Sequence, residues 1–353
     1  MTAGSDSVVV EAARRDNNFD ALRIAAALAV IVGHSYILTG RLAEEPKVTG
    51  LQLEYIGVSI FFVISGYLIT GSWERSRSIG QYLSSRALRI APLLFLVILL
   101  STFLLGPLVT TLPIGEYLTN TETWRYLINL VLLPADGLPG VFEANPYPGV
   151  VNGSVWTLRA EVICYLVVLV LGLLPRVAQL VGFTLFGAAS IALVINGPVI
   201  IAGSSLSAAG GTWIFFAIGA LARLLLPRSV FKPVIAAALV VLWIVVSPIA
   251  GAFTYPLAWI VISYTVLSVG FASTPVVRRA ARFGDLSYGL YLWAFPVQQL
   301  VVLLFGVLPF ALNLVVVVLI TAALSFASWH LLEKRALAAR FLLPWFRRAP
   351  VAH

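Results

Sequence analysis

Arg23 and His34 stand eleven residues apart inside the first long apolar run of the chain, which opens Phe19-Asp20-Ala21-Leu22-Arg23-Ile24 and closes Val32-Gly33-His34-Ser35. On an α-helix that spacing is almost three turns, so the two side chains share one face, ~16 Å apart along the axis. Polar groups in hydrocarbon are costly unless they face protein or water, which makes a cation and an imidazole on one stripe a candidate functional site. The competing reading is a pair of interhelical anchors, a snorkelling arginine and a hydrogen-bonded histidine. A neutral imidazole takes the proton of an attacking hydroxyl, and a nearby carboxylate stabilises the imidazolium and fixes the ring tautomer. His34 is the best-placed general base, because His330 lies near the end of the last apolar run and His353 at the terminus. Glu161 is the acid set clearly inside an apolar run, with Asp20 and Glu54 at run edges. Local pairing of Glu161 with Arg159 is its alternative.

The elements that must position these groups are membrane spans. The 353 residues are 60% hydrophobic and 11% charged, and the mean hydropathy of +0.98 excludes a water-soluble globular domain. Apolar runs near the ~20 residues needed to cross a hydrocarbon core as helix are read at 19–39, 52–71, 89–109, 155–174, 177–195, 207–226, 232–249, 252–271, 286–306 and 309–330. The expected fold class is therefore all-α, a polytopic membrane protein of about ten transmembrane helices. Residues 1–18 form an N-terminal tail without a cleavable signal peptide, 19–335 the membrane domain and 336–353 a C-terminal tail. No internal repeat is visible.

Basic residues cluster at alternate run ends: Arg14, Arg15, Arg75, Arg77, Arg86, Arg176, Arg223, Arg228, Lys232, Arg278, Arg279, Arg282 and the stretch Lys334 to Arg348. The positive-inside rule places these ends, and both termini, in the cytoplasm, leaving Arg41, Lys47 and Arg125 outside. Short juxtamembrane clusters account for the net charge of +8 through topology and contact with membrane lipids, with no nucleic acid required. The arginine-dominated, Ala-, Val- and Gly-rich composition suggests a bacterial gene, hence the bacterial cytoplasmic (inner) membrane. The lone Cys164 allows no intrachain disulfide, and no metal constellation is visible. With this orientation His34 falls late in an outgoing span and Glu161 early in an ingoing one, so the two are expected to face each other in the outer third of the membrane. The stretch from about Leu105 to Val155 reads as an external loop, either a cover for an active site or a plain connector, with an interfacial or re-entrant piece at Trp124 to Leu133.

Several blocks resemble the acyltransferase family 3 membrane proteins. They are the Phe-Asp-x-Leu-Arg opening with its later His34, Gly57-Val58-Ser59-Ile60-Phe61-Phe62-Val63-Ile64-Ser65-Gly66-Tyr67, Ser85-Arg86-Ala87-Leu88-Arg89-Ile90-Ala91-Pro92, Ser154-Val155-Trp156-Thr157-Leu158-Arg159-Ala160-Glu161, and Leu286-Ser287-Tyr288-Gly289-Leu290-Tyr291-Leu292-Trp293. The resemblance implies transfer of an acetyl or other short acyl group from acyl-CoA, a co-substrate and not a bound cofactor, to a hydroxyl of a glycan or glycosylated acceptor such as a macrolide. His34 is then the base and Glu161 its orienting or acceptor-binding partner. Arg23, Arg86 and Arg89 would hold the donor's phosphates, for which guanidinium forks are suited, although anchoring explains Arg86 and Arg89 equally well. Tyr67, Trp156 and Tyr165 either line a substrate passage or fill interhelical space. Family members often carry histidine directly after the Leu-Trp pair, where this chain has Ala294. The rival class is a transporter or flippase that moves a glycan or acyl donor without chemistry.

Overall fold

Long runs of Leu, Val, Ile, Ala and Phe leave a membrane-embedded backbone no hydrogen-bond partner but itself, and the chain answers with helices. The computed structural model describes residues 17–76, 78–201 and 204–343. Arg14, Arg15, Arg77, His353 and most of both tails lie outside the described residues. Ten long helices follow in order: α1 Phe19–Leu38, α2 Leu53–Ser76, α3 Ile79–Leu100, α4 Val155–Gly172, α5 Arg176–Ile195, α6 Leu206–Leu225, α7 Pro233–Ala250, α8 Thr254–Phe271, α9 Ser287–Phe305 and α10 Phe310–Ser328. The protein is all-α and polytopic. Among the described residues, nine uninterrupted helical stretches are long and apolar enough to cross a membrane. The longest, Pro233–Phe271, is the hairpin of α7 and α8, turning at Gly251 with φ +50°. Its antiparallel course is fixed where Lys232 N, at the start of α7, donates to Tyr264 Oη late in α8 at 3.2 Å.

Two helices run farthest past the expected bounds. The third begins at Ile79, where Ser78 caps it by accepting from Gln81 N, and continues through a π-turn at Ser101–Leu105 to Val109. The tenth passes a second π-turn at Trp329–Glu333 and ends at Ala339. α2, α6 and α9 form the buried centre, while α5 and α7 bury only two residues each and expose most of their surface.

Glycines let the central helices touch backbone to backbone. A Cβ on Gly66 would strike the Phe216 carbonyl oxygen and approach Ala220 N to 3.1 Å, and one on Gly219 would strike the Val63 carbonyl. α1 meets α2 the same way, Gly57 lying 2.6 Å, measured from a built Cβ, from the Ala26 carbonyl.

The segment between α3 and α4 is folded. Tyr117 Oη donates to Thr102 O at 2.8 Å, Asn129 Nδ2 to Ala135 O at 2.6 Å and Val151 N to Asp136 O at 2.8 Å. Trp124 to Leu133 spans two short helical turns, Thr121–Arg125 and Tyr126–Val131, with Tyr126 and Asn129 buried. The following stretch descends along α9: Asn145 Nδ2 donates to Gln299 Oε1 at 2.8 Å, and Asn152 Nδ2 to Leu292 O at 3.0 Å. Seven residues of α9 separate those partners, a descent of ~10 Å in non-helical chain. α4 therefore starts well below the end of the bundle, with Ser154 and Val155 already buried.

Candidate active site

The ends of the helices divide into two faces, one rich in arginine at the start of α1 and α3 and the ends of α2 and α6, and a far face bearing the α1–α2 and α3–α4 connections. A cavity of about 110 Å³ opens between α1, α2, α3, α4 and α9, of the order of the ~150 Å³ that holds one benzene. α2 lends it one face, Val58, Phe61, Phe62, Ser65 and Ile69, at helical spacing. Its length along α2 is eleven residues, or ~16 Å. Thr157, Leu158, Glu161 and Tyr165 line it from α4, Arg23 from α1, Arg86, Arg89 and Ile90 from α3, and Ser287, Tyr288 and Tyr291 from α9.

The three arginines thus converge on the end of the cavity nearer the arginine-rich face, each in a different electrostatic setting. Arg89 pairs with Asp285 at 2.8 Å and lies over the Tyr288 ring at 5.6 Å. Burial works against ionisation of Asp285, but Arg89, Arg23 and the Ser287 hydroxyl hold its carboxyl down to about 2. Arg23 reaches Asp20 at 3.5 Å. Arg86 lies over the Tyr165 ring at 5.9 Å, and its Nε is buried without a hydrogen-bond acceptor. A buried guanidinium donor left open in a cavity is a ready contact for an anion.

Glu161 stands midway along the cavity, where its Oε1 accepts from Ser65 Oγ at 3.0 Å and Tyr165 Oη at 2.5 Å. The expected facing of Glu161 and His34 does not occur. Glu54 lies beside Gly33, the neighbour of His34, whereas Glu161 is level with Ser65, and those two positions on α2 are ~16 Å apart. The reason is the descent of the chain before α4, which sinks Glu161 to the depth of the arginine end. His34 is outside the cavity lining but close to its far end. Its ring packs edge-on against Phe295 at 5.4 Å, one helical turn (~6 Å) beyond Tyr291 on α9. Its Nδ1 is buried without a partner, leaving Nε2 on the accessible edge of this half-buried ring.

Of the three expected substrate-passage aromatics only Tyr165 lines the cavity. Trp156 sits ~140° around α4 from Glu161 and is 37% exposed on the outer surface. Tyr67 is two residues from Ser65 and so turned away, packing on Phe271 at 5.0 Å with Arg223 over its ring at 5.6 Å. The residues missed from the sequence are Asp285, which orders Arg89, and the carboxyls Glu45 and Glu54 near His34. Glu45 lies on the short α1–α2 connection, which turns back so that the start of α2 brings Glu54 beside Gly33. Among the described residues no three His, Cys, Asp or Glu side chains converge as a metal site.

An arginine-ended cavity shared by the first, second, third, fourth and ninth helices coincides with the blocks singled out in the sequence. A family model described as an acyltransferase domain, that of acyltransferase family 3, matches residues 16–330. The chain belongs to acyltransferase family 3. An O-acetyl transferase of Shigella phage Sf6 is 32% identical over 333 residues, covering 92% of this chain and 96% of the relative. Nodulation protein 10 of Rhizobium leguminosarum bv. viciae is 30% identical over 356 residues, covering 92% of this chain and 94% of the relative. No solved structure matches. As a member of this family the chain is a membrane acyltransferase. Its Ala294 is fully buried in a cluster with Ala27, Ile31 and Val317, an apolar packing position with no room for an imidazole.

Proposed function

We propose that the protein transfers an acetyl or other short acyl group from acyl-CoA, bound at the arginine end of the cavity, to a hydroxyl of a glycan or glycosylated acceptor that reaches His34 from the far face. The observation that carries this reading is the common face of α1: Arg23 lines the cavity's arginine end, and His34 stands one turn beyond the opposite end. The phosphates of the donor suit Arg86 with its open Nε, Arg23, and Arg89 as steadied by Asp285. The acyl-pantetheine arm then follows the groove past Tyr165 and Ser65, which Glu161 holds in place. Glu161 also supplies negative charge among the three arginines. At the far end Nε2 of His34 takes the acceptor's hydroxyl proton as the oxygen attacks the thioester carbonyl. The carbon–sulfur bond breaks, the thiolate recovers that proton, and the products are an ester and free CoA thiol. Family membership argues against a flippase without chemistry, and so does the absence of an internal repeat. The O-acetyl transferase relative supports a hydroxyl acceptor and an acetyl donor.

The test is release of free thiol from labelled acetyl-CoA by the purified protein in proteoliposomes containing bacterial glycolipid, with the label recovered in the glycolipid as a base-labile ester. His34→Ala is expected to insert normally and to lose transfer by two or more orders of magnitude, the ~10²–10⁴-fold scale of a positioned general base. Turnover near normal in a folded variant overturns the mechanism.

A further inference from the structure

When the acceptor oxygen attacks the thioester, the electrons of the carbonyl double bond move onto its oxygen, and a negative charge develops inside a membrane bundle. Such a charge needs hydrogen-bond donors already aimed at it. The arginines stand at the wrong end of the cavity to serve. Toward the far end, beside Val58, Phe61 and Phe62, the lining offers two polar side chains, Thr157 on α4 and Tyr291 on α9. Glu161 lies one turn (~6 Å) nearer the arginines along α4, where it accepts from Ser65.

Both side chains are buried, and their hydroxyl oxygens meet at 2.6 Å across the two helices. Thr157 Oγ1 is also 3.0 Å from the Ser154 carbonyl oxygen, from which Tyr291 Oη is 3.4 Å away. The shorter contact assigns the protons: Thr157 donates to Ser154 O, and the phenol donates to Thr157 Oγ1. The Tyr291 ring is held edge-on to Phe61 at 5.7 Å. One turn farther along α9 stands Phe295, on which the His34 ring packs. The phenol and the base therefore bracket the place where a thioester carbonyl at the far end of the cavity meets its acceptor.

We propose that Tyr291 is the oxyanion donor of acyl transfer, with Thr157 as the positioning residue that holds its hydroxyl between turnovers. This rests on the reading of His34 as the base. As the oxyanion forms, the phenol proton turns from Thr157 Oγ1 to the charged oxygen, exchanging a neutral hydrogen bond for a charge-assisted one. No proton leaves Tyr291. The oxyanion then collapses, the carbonyl reforms, the carbon–sulfur bond breaks, and the thiolate takes the proton held by His34. A hydroxyl pair that only ties α4 to α9 would lose the same bond from either side, whereas an oxyanion donor makes the two halves unequal.

The experiment compares acetyl transfer by wild type, Tyr291→Phe, Thr157→Val and His34→Ala in detergent, together with the infrared carbonyl stretch of bound acetyl-CoA, ¹³C-labelled at the carbonyl, with no acceptor present. Tyr291→Phe keeps the ring and is expected to lower kcat by about two to three orders of magnitude with donor KM within about threefold, the pattern of a contact strongest in the transition state. Thr157→Val is expected to cost about tenfold or less, the scale of one neutral hydrogen bond. The stretch should lie below that of free acetyl-CoA in wild type and Thr157→Val, and return toward the free value in Tyr291→Phe. A wild-type stretch equal to that of the free donor overturns the proposal whether or not the variants fold, and so do equal losses of kcat in Tyr291→Phe and Thr157→Val. Normal transfer by His34→Ala would instead sink the underlying reading of the base; an inactive His34→Ala beside a fully active Tyr291→Phe sinks the oxyanion donor alone.

Discussion

Arg23, Arg86 and Arg89 share a charge but not an environment, and that difference is testable one residue at a time. Lysine keeps the positive charge that orients a span and loses the planar fork that grips two oxygens. Arg89 already spends one nitrogen on Asp285 at 2.8 Å, while Arg86 has a buried Nε with nothing to donate to. Arg86→Lys is therefore expected to weaken CoA binding most, by about 10–100-fold for a charge-assisted contact of ~1.5–3 kcal/mol, with Arg23→Lys and Arg89→Lys smaller. Titration calorimetry with CoA on the purified variants measures this, and unchanged affinity in all three would return the arginines to anchoring.

At the scale of helices, the sequence showed what crosses a membrane but not where each helix begins. Apolar length alone marked ten spans, and Arg23, Arg86, Arg89, Glu161 and Tyr165, all named from their motifs, line one cavity. The His34–Glu161 pairing failed because hydropathy assumes that every span starts at the membrane surface. The stretch from Asn145 to Ser154 breaks that assumption through side-chain contacts to Gln299 and Leu292, long-range bonds with no local periodicity to betray them. Packing between α2 and α6 was more legible, since Gly66 follows Ser65 in a motif of small residues. Gly66→Ala drives a methyl into the Phe216 carbonyl, and overpacking of ~1–3 kcal/mol should lower the melting temperature by about 1–4 °C. Gly115, with nothing within 4 Å of a built Cβ, is the control expected to tolerate alanine. Equal melting temperatures for the two variants, by intrinsic fluorescence, would show that the α2–α6 contact is looser than its geometry.

For the whole molecule, the arrangement has a direction, because the cavity's cationic end and the histidine belong to opposite faces. Arg176, Arg223, Arg228 and the Arg278–Arg282 cluster gather at the face that Arg23 and Arg89 approach, and the folded α3–α4 segment occupies the other. If the positive-inside rule governs, the donor enters from the cytoplasm and the acceptor stays outside. The lone cysteine, Cys164, is buried, so cysteines introduced in a Cys164→Ala background report sidedness without interference. Glu122→Cys, at a site 57% exposed on the far face, is expected to react with a membrane-impermeant maleimide on intact spheroplasts. Arg228→Cys, exposed at the other face, should react only after permeabilisation. The reverse pattern would point the arginine end away from the cytoplasmic pool of acyl-CoA, and the cross-membrane route from donor to His34 would then fail even though the family assignment stood.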